Sequence, residues 1–260
     1  MTSAVSNDLV SEPCLIGPWR WRIAVGFAHP DFLLRLSSPQ QLLQPPAEPI
    51  ERVPPRTATK LVRRTLPEYP AQPLFIKHYK SSKIWNRCKD VFRRSRARRA
   101  FENAFRLQKL GISTAPPVAC GERRYWLWLN EAFLICEEVP HAETLHRFYQ
   151  DCSDPRLRLA ALRTLARQMA ELHNAGFSHA DPHALNFLVS RADCRNLVLI
   201  DLDALRQPCW FTFHSAVRDL RNMLRRSPLS ARAHLRFAVE YARARAPRLS
   251  ARKIVQSLGR

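Results

Sequence analysis

Apolar positions recur along this chain at two periods, and the change from one to the other divides it into halves. In the first half, short runs dominate. Trp19-Arg-Trp-Arg-Ile23 alternates large apolar residues with arginines, the two-residue repeat of a strand with one buried face. Thr59 to Leu66 reads as a strand, Pro67 to Pro73 as a loop, and Leu74-Phe-Ile-Lys77-His-Tyr79 as the returning strand of a hairpin. The segment 92–110 then reads as a helix. Phe101, Ala104, Leu107 and Leu110 recur every three residues, and Gly111 stands just past its end. Two more strands are expected, Tyr125 to Leu129 and Ala132 to Val139. Trp126 and Trp128 alternate in the first of them, which predicts one face in the core. Residues 1–50 form an N-terminal extension, made partly irregular by Pro45-Pro46 and Pro49, with Pro54-Pro55 just beyond.

The second half is helical. Asp154 is a candidate cap with Pro155 in the first turn, and Leu162, Leu165, Ala166, Met169, Leu172 and His173 make an apolar stripe that Gly176 ends. Phe187 to Val189 and Leu197 to Asp201 suit a small hairpin joined by the polar Ser190 to Asn196. Further helices with Arg-rich faces follow. The expectation is an α+β chain: a small antiparallel-sheet lobe with one helix over 51–138, then a mainly helical lobe over 139–260. The join falls near Glu137-Glu138-Val139-Pro140.

Charge narrows the partners. Forty-two Lys and Arg against 22 Asp and Glu give a formal net charge of +20, a field that attracts nucleic acid, an anionic membrane surface or a phosphorylated substrate. No run approaches the roughly 18 apolar residues of a membrane-spanning helix. The first residues lack a basic stretch followed by an apolar one, so no signal peptide is expected. The seven cysteines stand singly, with no Cys-x-x-Cys pair, which argues against a zinc ribbon and fits free thiols in a reducing cytosol.

The chemistry gathers in His179-Ala-Asp181-Pro-His-Ala-Leu-Asn186. Phosphoryl transfer needs a positioned acceptor hydroxyl, a divalent metal and cations on the phosphates. A kinase loop places an Asp at the acceptor and an Asn five residues later at a metal, the spacing of Asp181 and Asn186. Leu197-Val-Leu-Ile-Asp201 supplies a second metal-binding carboxylate at a strand end, and Lys77 lies in an apolar strand where a phosphate anchor belongs. Glu102 is the candidate to pair with Lys77 from the following helix. Order and motifs together predict a bilobal protein-kinase-like fold.

The stretches Phe101-Glu-Asn-Ala-Phe-Arg-Leu-Gln-Lys-Leu-Gly-Ile-Ser-Thr-Ala-Pro116, Leu172-His-Asn-Ala-Gly-Phe-Ser-His-Ala-Asp181, Asn186-Phe-Leu and Leu199-Ile-Asp-Leu-Asp203 resemble the lipopolysaccharide core kinases of the Kdo/heptose kinase type, over about residues 55–225. The resemblance implies ATP, Mg2+ or Mn2+, and phosphorylation of an inner-core sugar on a lipopolysaccharide precursor. It implies Asp181 as base, Asn186 and Asp201 as metal ligands and Lys77 as phosphate anchor. A Gly-rich phosphate loop is missing, the whole chain having six glycines. Thr57, Thr59 and Lys60 occupy the place where that loop would stand and are the candidates for phosphate contact. Glu137 and Val139, at the join, are candidates for nucleotide contact.

Other residues carry two readings each. His179 packs and hydrogen-bonds behind the loop, or moves protons. His183 caps, or faces substrate. Asp203 pairs with an arginine, or binds metal. Asp219 anchors the backbone of the catalytic loop, or makes a surface ion pair. Arg93, Arg94, Arg96, Arg98 and Arg99, with Lys80, Lys83, Arg87 and Lys89, form either a solvated face or a contact with the anionic inner face of the inner membrane. No specific nucleic-acid partner is expected, since Trp126 and Trp128 have only Arg123-Arg124 beside them. A small-molecule or protein serine/threonine kinase of the same fold, and a nucleotide-binding pseudokinase, are the alternatives. Ala180-Asp-Pro-His183 also resembles the loop of the atypical kinases linked to ubiquinone synthesis, whose upstream and downstream motifs this chain lacks.

Overall fold

The computed structural model describes residues 13–49, 59–80, 94–126, 128–245 and 250–258. The chain divides into two compact units: residues up to Arg106 with Ala115–Glu138, and Leu107–Thr114 with Val139–Arg260.

The first unit is built on an antiparallel sheet. Its strands are β1 (Cys14–Ile16), β2 (Trp19–Ile23), β3 (Glu48–Pro49), β4 (Thr59–Leu66), β5 (Tyr69–Lys80), β6 (Pro117–Tyr125) and β7 (Trp128–Glu137), in the order β1-β2-β6-β7-β5-β4-β3. Helix α1 (Pro30–Leu36) and a short 3-10 turn (Pro39–Leu43) lie between β2 and β3, and helix α2 (Arg96–Lys109) between β5 and β6.

The N-terminal segment belongs to this sheet. The alternation of Trp19-Arg-Trp-Arg-Ile23 buries Trp19, Trp21 and Ile23 in a cluster with Phe32, Leu36, Leu42, Ile76, Phe133 and Ile135. The Trp21 indole donates to the Leu36 carbonyl at 3.1 Å, pinning α1 to β2. Strand β2 in turn pairs with β6, Trp21 standing opposite Gly121. A Cβ at Gly121 would lie 2.7 Å from the Trp21 ring, so only glycine lets the two strands close.

Several expected boundaries move. The hairpin turn between β4 and β5 is Pro67-Glu68, much shorter than the loop over 67–73, because Tyr69 already pairs with Leu66 and a bulge absorbs the mismatch. Strand β6, which begins at Pro117, is a strand the expected elements did not include. The run from Tyr125 is the tip of the β6–β7 hairpin, not a strand of its own. Trp126 sits in the turn with φ 55° and is 85% exposed, and Trp128 is 40% exposed, so neither lies in a core face. The helix expected over 92–110 begins at Arg96, where Ser95 Oγ accepts from Arg98 N at 3.1 Å; 92 and 93 lie outside the described residues.

The second unit is mainly helical: α3 (Leu145–Asp151), α4 (Pro155–Asn174), α5 (Phe213–Arg225), α6 (Ala231–Ala244) and α7 (Ala251–Leu258). Helix α4 is its central rod. Asp154 caps it, accepting from Arg156 N at 2.7 Å, and Gly176 at φ 77° follows its end. Its stripe of Leu162, Leu165, Met169 and Leu172 is buried. Burying such side chains contributes about 1.5–3 kcal/mol each, so the stripe, not helix propensity, holds α4 in place. Short strands β8 (Glu143–Thr144), β9 (Ser178–His179), β10 (Phe187–Val189), β11 (Leu197–Leu199) and β12 (Leu205–Arg206) complete the unit. β10 and β11 form the expected hairpin, with Phe187 opposite Leu199, and β12 pairs with β9. The turn after α2 also joins this unit: Leu199 N donates to Ser113 O at 2.9 Å.

Candidate active site

Three backbone ties bring the loop from His179 to Asn186 against the segment that follows β11, and one side-chain bond braces the loop itself. Leu205 pairs with His179, and Ala180 N donates to Ala204 O at 3.3 Å. Ile200 N donates to Asn186 O at 2.8 Å, and the Asn186 amide Nδ2 donates to Asp181 O at 3.0 Å. Asp181 and Asn186 on one loop, and Asp201 fifteen residues beyond, are therefore held by neighbouring segments of backbone. With Nδ2 spent on Asp181 O, the Asn186 Oδ1 is the atom left to accept from a ligand.

Asp201 adopts a left-handed backbone, φ 62° and ψ 50°, at the end of β11 and before the turn Leu202–Ala204. Asp tolerates this region better than most residues, but it costs energy, and such positions cluster where a side chain must be aimed. The adjoining Asp203 is buried.

Beneath the loop lies a carboxylate with no exposure at all, Asp219 of α5. Its Oδ2 accepts from His179 N at 2.7 Å and from Ser178 Oγ at 2.8 Å. Of its two readings the anchoring one holds: a charge so buried persists only when hydrogen-bonded. His173 stands 3.5 Å away through Nε2, while its Nδ1 meets the Tyr241 hydroxyl at 2.7 Å. Burial pushes the His173 imidazole below its ordinary pKa, against the pull of Asp219.

His179 packs behind the loop. Its Nδ1 accepts from Asp181 N at 3.3 Å, which puts the proton on Nε2. Burial lowers its pKa more than Asp201, Asp219 and Asp181 raise it. His183 does not cap through its side chain; its backbone O takes the Asn186 N–H at 2.9 Å. Its ring instead faces the loop carboxylate, Nε2 being 3.8 Å from Asp181 Oδ2. Burial lowers the His183 pKa as well.

One residue near the loop escaped the sequence reading. Arg226, at the C-terminal end of α5, sets its guanidinium on Asp181 Oδ1. Arg225-Arg226 looked like one more basic stretch on a helix face, and nothing in the local sequence points it at Asp181.

These contacts hold Asp181, Asn186 and Asp201 on neighbouring segments, and much of the chain matches known proteins. Residues 68–241 match the model of the lipopolysaccharide kinase (Kdo/WaaP) family. The chain belongs to that family. The lipopolysaccharide core heptose(I) kinase WaaP of Pseudomonas aeruginosa is 32% identical over 115 residues, a match that spans 41% of this chain and 43% of that protein. Among solved structures, WaaP in complex with acyl carrier protein superposes with a TM-score of 0.58 at 23% identity, covering 80% of this chain and 81% of that one. The fold of this Kdo/WaaP family member is thus kinase-like.

The remaining candidates lie in the first unit or at its boundary. Lys77 is half-buried on β5, between Leu61 of β4 and Leu134 of β7, with Nζ 5.3 Å from the centre of the Tyr79 ring. Glu102 is held by Arg98, one turn before it, at 2.8 Å, and by Arg94. Lys60 is exposed on β4, which begins at Thr59; Thr57 lies outside the described residues. Glu137 ends β7, its N–H given to Pro116 O at 2.9 Å and its carboxyl raised by burial. Val139 opens the second unit. Of the basic cluster, Lys83, Arg87, Lys89 and Arg93 are outside the described residues.

Proposed function

We propose that this chain transfers the γ-phosphate of ATP to a sugar hydroxyl, Kdo or heptose, of the lipopolysaccharide inner core. The observation that carries the reading is Asp181 on a loop whose backbone hangs from the buried Asp219, with Asn186 and Asp201 tied beside it. Membership of the Kdo/WaaP family supplies the substrate class.

The residues divide the work. Asp181 accepts the proton of the attacking hydroxyl, and its half-exposed carboxylate is reachable by a sugar. Lys77 is assigned as the phosphate anchor, with Thr57, Thr59 and Lys60 as further candidates for phosphate contact, Glu102 as its support, and Glu137 and Val139 as candidates for nucleotide contact. The Asn186 amide oxygen and the Asp201 carboxylate are hard oxygen donors, which suits Mg2+ or Mn2+. Mg2+ characteristically takes one or two carboxylates and fills its shell with substrate phosphates and water. A bound ion would neutralise charge on the transferring phosphoryl group.

The substrate is lipid-linked, and the net charge of +20 suits a peripheral contact with the anionic inner face of the inner membrane. Among the described residues no helix is long and apolar enough to cross a membrane. Lys80, Arg94 and Arg96 supply part of the basic face, at about 1 kcal/mol each near such a surface, and Tyr125 and Trp126 are exposed aromatics of the kind found at membrane interfaces.

Transfer of labelled phosphate from ATP to purified core oligosaccharide tests the activity. Wild type should transfer, and Asp181→Ala and Asp201→Ala should not, with Asp181→Ala still binding nucleotide. Intact ATP binding without transfer to any core acceptor would overturn the substrate. Flotation with anionic liposomes, abolished by salt, tests the membrane contact; equal flotation with neutral liposomes refutes it.

A further inference from the structure

Asp181 is occupied. Its Oδ1 meets the Arg226 guanidinium and its Oδ2 faces His183. A base needs an open lone pair toward the hydroxyl it deprotonates, so in the productive complex Arg226 must give up at least part of this contact. Both partners are about half exposed, 49% for Arg226 and 54% for Asp181, and a pair so solvated holds weakly. Among the described residues, Asp181 is the one carboxylate that Arg226 meets. A guanidinium beside a reacting centre, loosely held, with a planar fork of donors, is suited to take an oxyanion of the incoming molecule in two-point fashion.

We infer that Arg226, with His183 beside it, is the recognition site for an oxyanion on the acceptor, a carboxylate or phosphate group close to the hydroxyl that is phosphorylated. This rests on the kinase reading above and sharpens its substrate: the acceptor is acidic. The anion draws Arg226 away, and the oxygen it leaves is the one that meets the hydroxyl. Binding of the correct acceptor and release of the base are then one event, and a neutral sugar loses both. The site is formed wholly by the second unit, from the catalytic loop and the end of α5.

The test compares three forms of core oligosaccharide with ATP. One is native, one has its Kdo carboxylates methyl-esterified, and one has its phosphates removed. Wild type should lose roughly tenfold or more in kcat/KM on whichever treatment removes the recognised anion, the size expected when one partner of a charge pair is deleted. Esterification and dephosphorylation thereby tell a carboxylate from a phosphate. Arg226→Gln should raise KM for the native acceptor, leave KM for ATP within about twofold, and bring the discrimination between native and treated acceptors toward one. Arg226→Lys should restore part of it, which a folding defect would not. A change in KM for ATP alone would place Arg226 on the nucleotide, and equal loss on all three acceptors would make it structural; either overturns the inference.

A second arm needs no turnover. The Arg226 Nε–H signal, assigned by its loss in Arg226→Gln, is followed by NMR as the full chain is titrated with free Kdo, its methyl ester and inorganic phosphate. Movement with an anion and not with the ester supports the site. No movement with either anion at saturation refutes it, whether or not the kinase reading stands. Failure of every acceptor with this signal responding would instead refute only the kinase substrate.

Discussion

Asp219→Ala removes the group from which the loop beginning at His179 hangs. The carboxylate accepts two bonds in a site without solvent, from His179 N at 2.7 Å and Ser178 Oγ at 2.8 Å. A hydrogen bond to a charged group contributes about 1.5–3 kcal/mol, and a buried donor left without a partner carries its desolvation cost. Two such bonds give about 3–6 kcal/mol, and relief from burying the charge returns part of it, so the net loss should be about 3–4 kcal/mol. At roughly 2–4 °C per kcal/mol for a chain of this size, Tm should fall by about 6–16 °C. The damage should also be local. Hydrogen exchange at the His179 amide should speed up by about a hundredfold, since each 1.4 kcal/mol of protection is a factor of ten. Asp219→Asn, which keeps one carbonyl oxygen for the His179 N–H, should cost less than half as much. The assay is thermal unfolding together with exchange mass spectrometry of the peptide containing 177–181. Stability within about 1 kcal/mol of wild type, with unchanged exchange in that peptide, would refute the anchoring role.

Other outcomes follow from the same contacts. His173 is buried and its folded-state pKa lies below the ordinary value. The unfolded chain therefore takes up a proton first, and stability should fall as the pH drops below about 6.5. Urea unfolding at neutral and mildly acidic pH should show a smaller acid loss in His173→Gln than in wild type, and an unchanged difference would count against it. Gly121→Ala drives a methyl into the Trp21 ring and should destabilise the first unit by about 1–3 kcal/mol, read from tryptophan fluorescence on denaturation. Asn186→Ala removes both the tie to Asp181 O and the Oδ1 donor. Divalent-ion titration of ATP binding should show weaker metal dependence in this variant than in wild type, and an identical metal midpoint would exclude Asn186 as a ligand. Trp126, exposed at a hairpin tip, should be replaceable by Ala within about 0.5 kcal/mol of stability, while flotation with anionic liposomes weakens.

What the chain determines by itself is its local order. The spacing of Asp181 and Asn186, the placing of Asp201 at the end of an apolar run, the Asp154-Pro155 start of α4 and its stripe are all short-range patterns, and periodicity and capping read them directly. The alternation of Trp19 to Ile23 likewise declares a strand. It does not declare a partner. That β2 lies beside β6 depends on Gly121 fitting under Trp21, a contact across a hundred residues. The hairpin tip misled for a related reason: Trp126 and Trp128 have the spacing of a strand, but the left-handed turn at Trp126 turns both outward. Arg226 shows the limit most clearly. Asp219 could be read as an anchor of the loop or as a surface ion pair, and Arg226, at the end of an Arg-rich helix, carries no local sign of its work, yet the packing of α5 puts the first under the His179 amide and the second on the carboxylate of Asp181. Sequence spacing could single out Asp181 because its neighbours along the loop are fixed by the backbone. What holds its loop, and what covers its carboxylate, are through-space relations set only when the helices of the second unit have packed.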